Sequence, residues 1–141
     1  TYGQACAANG HHLLGAPALR APSLPLLGNA QFRLELDHTT GIYGEHVFVA
    51  WSAAAAPVGQ PSLLPSVVGG CAESIDPLQL VAMWLLPTQV MTTVMPLSLA
   101  GLPPELDGVE LHAQALVIDL LPFPYPPYQG MSNALQIVLG Q

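Results

Sequence analysis

Turn-forming residues constrain this chain before anything else does. Its 141 residues include 15 Pro and 13 Gly. Gly28-Asn29, Gly41, Gly69-Gly70, Gly101, Pro103-Pro104, Asp107-Gly108 and Gly130 fall between short apolar runs. Proline removes a backbone donor and glycine reaches backbone angles closed to other residues. A chain punctuated this often is cut into strand-length pieces and has no room for long helices.

The pieces alternate with period 2, the mark of a strand with one buried face. In residues 30–37, Phe32, Leu34 and Leu36 alternate with Gln31, Arg33 and Glu35. In residues 46–52, Val47, Val49 and Trp51 share one face while His46, Phe48 and Ala50 share the other, so both faces need cover. Residues 109–119 set Val109, Leu111, Ala113, Ala115 and Val117 against Glu110, His112 and Gln114, and residues 133–139 set Leu135, Ile137 and Leu139 against Gln136. Residues 89–99 read as a strand that Pro96 confines to an edge or bulge. Residues 78–86 are apolar throughout, so period does not separate a strand from a short helix capped by Asp76-Pro77. Together these runs predict one all-β domain over residues 1–141, a two-layer antiparallel sandwich of jelly-roll or immunoglobulin-like type with about 7–9 strands. Residues 1–21 form a candidate N-terminal strand or arm.

Charge excludes whole classes of function. Charged residues make up 8% of the chain; Arg20 and Arg33 are the only basic ones besides histidine, there is no Lys, and the net charge is −7. Such a surface has nothing to neutralise phosphates, which argues against nucleic acid and against a polybasic membrane anchor. No apolar run is long enough for a membrane-spanning helix. The absence of Lys also precludes a Lys–Asn isopeptide cross-link. Cys6 and Cys71 are the whole thiol inventory. They fit two buried thiols, one disulfide in an exported chain, or a bridge between subunits. The lack of Lys and the turn-rich composition favour export, with a leader already removed.

The order of the motifs carries a resemblance. A small-residue opening with a Cys (Tyr2-Gly3-Gln4-Ala5-Cys6) precedes a Gly-Asn turn and an alternating strand, Gly28 to Leu36. Gly70-Cys71 follows in mid-chain, then the strand His112 to Asp119, then Ser132-Asn133-Ala134-Leu135 running to Leu139-Gly140. In this order the chain resembles a group of small secreted β-sandwich domains of Planctomycetes and other environmental bacteria, a group without an established activity. The resemblance implies an exported all-β domain with a Cys6–Cys71 disulfide. Members often sit as modules in longer chains, whereas this sequence is a single domain.

No pattern announces catalysis. There is no Gly-x-Ser-x-Gly elbow, His-Glu-x-x-His or phosphate-binding glycine loop, so no catalytic residue, cofactor or metal ligand is assigned and the expectation is a non-enzyme. Glu105, Asp107 and Glu110 read as a solvated acidic turn, with a Ca²⁺ site as the lesser alternative. The Pro-rich stretch 122–130 holds Phe123, Tyr125 and Tyr128, which offer an aromatic platform for sugars. The stronger reading comes from strand parity. If the alternating sets above point inward, Phe48, Leu116, Ile118 and Val138 point outward on a surface with few charges, and surfaces of that kind are covered by neighbouring subunits. The expected function is therefore a secreted structural protein, a self-associating subunit of an extracellular, pilus-like filament or surface layer. Strand exchange between neighbours is the natural joint. A lectin-like, glycan-binding module using residues 122–130 is the alternative.

Overall fold

The computed structural model of the chain describes residues 1–2, 5–7, 16–37, 45–57, 74–86, 92–119 and 129–140. Within them lie eight strands: β1 (Cys6–Ala7), β2 (Ala18–Arg20), β3 (Arg33–Asp37), β4 (Glu45–Ser52), β5 (Leu80–Leu86), β6 (Thr92–Pro96), β7 (Glu110–Asp119) and β8 (Gln129–Val138). They form two antiparallel sheets, a five-stranded one in the order β1-β8-β7-β4-β5 and a three-stranded one in the order β2-β3-β6. The sheets stack as an open sandwich. Helical structure among the described residues is limited to two 3₁₀ turns, Pro77–Gln79 and Pro104–Leu106.

Alternation places the core as the sequence predicts. Val47, Val49 and Trp51 of β4, Ala113, Ala115 and Val117 of β7, and Leu135 and Ile137 of β8 face Leu19 of β2, Leu34 and Leu36 of β3, and Met95 of β6. Phe32 and Leu99 close one end of this core. Gly28, Gly101 and Gly108 adopt positive φ in the turns that deliver these strands, where a side chain would be strained.

One reading resolves here. The apolar run 78–86 is a strand from Leu80 onward, launched by a single 3₁₀ turn. Asp76 caps that turn, its carboxylate accepting from the Leu78 N–H at 3.0 Å and from the Gln79 amide at 3.0 Å. The buried Ser52 hydroxyl donates to the Asp76 carbonyl at 2.8 Å and holds the turn against β4. The N-terminal residues 1–21 contribute to both sheets. Their described parts divide between the sheets of their own chain, with Cys6–Ala7 on β8 and Ala18–Arg20 on β3.

The β7–β8 ladder carries an irregularity that polar side chains repair. Gln114 lies opposite Ala134 and Leu116 opposite Met131, so Ser132 and Asn133 together face Ala115. The Ser132 hydroxyl accepts from the Ala115 N–H at 2.9 Å. Asn133 then turns toward the other sheet. Its carbonyl oxygen accepts from the Leu19 N–H and its amide donates to the Leu19 carbonyl, both at 2.9 Å. One side chain thus completes the backbone hydrogen bonding of an edge strand and ties the two layers together.

Candidate functional site: an apolar sheet face

The two outer faces of the sandwich differ in chemistry. Arg20, Arg33, Glu35 and Asp37 lie on the outer face of the three-stranded sheet. Arg20 pairs with Glu35 at 3.0 Å and Asp37 at 3.1 Å, and Arg33 with Glu35 at 2.8 Å. The Arg33 hydrogen bond, reinforced by Arg20, holds the Glu35 carboxyl below the usual carboxylate range. Both arginines of the chain are spent on this face.

The outer face of the five-stranded sheet is apolar. Because Phe48 lies opposite both Leu85 and Leu116, and Met131 opposite both Leu116 and Cys6, one row runs Leu85–Phe48–Leu116–Met131–Cys6 across all five strands. Met83, Ala50, Gln114 and Ala134 form the next row. A groove of about 410 Å³ follows these rows, floored by Phe48, Ala50, Leu116, Ile118 and Met131 and walled at one end by Ile75, Pro77 and Leu80. Its polar member, Gln114, is engaged at both ends of its amide, by the Ser74 N–H at 2.9 Å and the Ser132 carbonyl at 2.9 Å. A groove so lined favours apolar contact over a polar ligand.

Three residues singled out by parity, Phe48, Leu116 and Ile118, meet in this groove. The fourth, Val138, is exposed at the far end of β8. Cys6 packs against Met131 on the same face and carries no free thiol. Cys71 and the aromatic residues Phe123, Tyr125 and Tyr128 lie outside the described residues. Sequence reading left residues 78–86 open between a strand and a short helix and assigned none of them to the exposed face. Val81, Met83 and Leu85 are 59%, 55% and 59% exposed, and Met83 lines the groove together with Leu80. Trp84 touches Trp51 at 5.3 Å between ring centroids yet remains 38% exposed. The signal was there in the absence of any charge from Leu80 to Leu86.

A polar chain closes one end of the face. The Tyr2 hydroxyl lies 2.7 Å from His112 Nδ1, and His112 Nε2 lies 2.8 Å from a Glu110 carboxylate oxygen. A neutral imidazole satisfies both contacts when Nε2 carries the proton, with the phenol donating to Nδ1. The order carboxylate–imidazole–hydroxyl is that of a nucleophile relay, but burial, with the Glu110 charge nearby, pushes the Tyr2 phenol up to about 12. A phenol so shifted stays protonated at neutral pH and acts as a donor. Tyr2 also exchanges two backbone hydrogen bonds with Ala134, at 2.9 and 2.8 Å, so the chain anchors this N-terminal residue to β8. The described residues contain no cluster of three His, Cys, Asp or Glu able to hold a metal ion, and none of their helices is long and apolar enough to cross a membrane. No known family model matches this chain, and no curated protein is similar to it in sequence.

Proposed function

We propose that this chain is a secreted structural protein, the self-associating subunit of an extracellular filament or surface layer. The observation that carries the proposal is the segregation of the surface. Ion pairs occupy the outer face of one sheet, while the outer face of the other presents a groove and exposed Val81, Met83 and Leu85. An apolar face of this kind on a chain of few charges gains stability when a neighbour covers it. Phe48, Leu116 and Ile118 are the contact residues in this reading, with Val138 at its margin. No residue performs chemistry.

The same proposal includes a Cys6–Cys71 disulfide and an oxidising compartment. Cys6 holds no free thiol, and the chain has one other cysteine. Negative-stain electron microscopy of unreduced protein tests the reading. Regular fibres or sheets with a repeat near the size of one domain are expected. Dispersed single particles at high concentration overturn it and leave the glycan-binding alternative to be tested through Tyr125→Ala and Tyr128→Ala.

A further inference from the structure

Exposed strand edges are templates for pairing, and proteins usually blunt them. Among the described residues the two sheets have four edges, and three of them are blunted. At one end of the five-stranded sheet, β1 is only two residues long. In the three-stranded sheet, Asn133 occupies Leu19 on β2, and β6 ends in Pro96. The fourth edge, β5, lacks these three devices; a bulge at Val81 interrupts its ladder with β4. It runs seven residues, Leu-Val-Ala-Met-Trp-Leu-Leu, with no charge, Gly or Pro. Its register with β4 is unbroken from Ala82 to Leu86. Among the described residues nothing pairs with its outer side.

Taking self-association as its premise, we propose that β5 pairs antiparallel with β5 of a second copy, about a two-fold axis at Met83. A two-fold perpendicular to the sheet makes the strands antiparallel and keeps each residue on its own face. Within the regular stretch this sets Met83 beside Met83 and Ala82 beside Trp84. The large indole meets the smallest side chain of the strand, twice by symmetry. Charge bears on where two copies can meet. Two copies carrying −7 each repel, so contact is favoured at a surface without acidic residues. Neither β5 nor the 3₁₀ turn before it holds a charged residue, so copies meet here without that penalty. The product is a ten-stranded sheet whose two grooves open on the same side, leaving the apolar face for growth of the assembly.

Cysteine cross-linking under mild oxidation tests the register, read by mass spectrometry of the linked peptides. Met83→Cys should yield covalent dimers joined residue 83 to residue 83. Leu80→Cys should not join to itself, because it lies three residues from the axis. Met83→Lys, at an exposed position, should fold normally by near-ultraviolet circular dichroism. It should weaken association in sedimentation by roughly tenfold or more, since it places two ammonium groups together. If the wild type assembles but Met83→Cys gives no 83–83 link and Met83→Lys still assembles, the β5 contact is wrong and assembly uses another surface. If the wild type stays monomeric at every concentration, the self-association premise fails with it.

Discussion

Replacing Asn133 isolates the contact that joins the two sheets. Its amide satisfies both backbone groups of Leu19, a residue buried in the core. Asn133→Ala removes both partners at once and leaves one donor and one acceptor unpaired. Each such group costs about 1–3 kcal/mol when buried. Because β2 is an edge strand that water can approach, the lower half of that range applies, giving about 2–4 kcal/mol in all. For a domain of this size each kcal/mol moves Tm by about 3–4 °C, so the expected fall is about 10 °C. Asn133→Asp refines the test. The carboxylate still accepts from the Leu19 N–H but opposes the Leu19 carbonyl, and protonation restores a donor. Its deficit relative to wild type should therefore shrink as pH falls through the carboxylate range. Thermal and urea unfolding of the two variants at neutral and acidic pH provide the comparison. A loss within about 0.5 kcal/mol for the alanine variant, typical of an unremarkable surface site, together with a pH-independent aspartate variant, would refute the inter-sheet role.

Three further outcomes follow from the polar contacts and the apolar face. The carboxyl of Glu35 ionises more readily folded than unfolded, so it contributes stability above the unfolded carboxylate range that is lost as pH falls through the folded value. Glu35→Gln should flatten that part of the acid limb in thermal melts. Tyr2 is raised to about 12, so stability should fall as pH climbs from the ordinary phenol range near 10 toward that value. Tyr2→Phe should remove this alkaline loss, and ultraviolet titration at the phenolate band should lose a step near 12. Leu116→Gln, in the middle of the apolar row, should leave the core intact and weaken self-association roughly tenfold, as expected for a polar group buried without partners. Unchanged sedimentation would remove Leu116 from the interface.

The sandwich was legible wherever one strand face is buried and the other is not. Leu34 and Leu36 against Arg33 and Glu35, or Ala113, Ala115 and Val117 against their neighbours, give the period directly. The same parity placed Phe48, Leu116 and Ile118 outward, which is why they meet in one groove. The run 78–86 was legible as apolar but not as strand against helix, because an edge strand apolar on both faces has no period to read. The β7–β8 irregularity was hidden for another reason. Ser132 and Asn133 interrupt the alternation, and only the folded geometry shows them serving Ala115 and Leu19. The Tyr2–His112 contact joins residues 110 apart in sequence, and no local pattern encodes a pairing of that range.

Sedimentation velocity of the unreduced protein, from micromolar to millimolar concentration at physiological salt, tests the central claim most directly. The account predicts species heavier than one chain, growing with concentration and insensitive to added sugars. A single species with the mass of one chain across the whole range would contradict it.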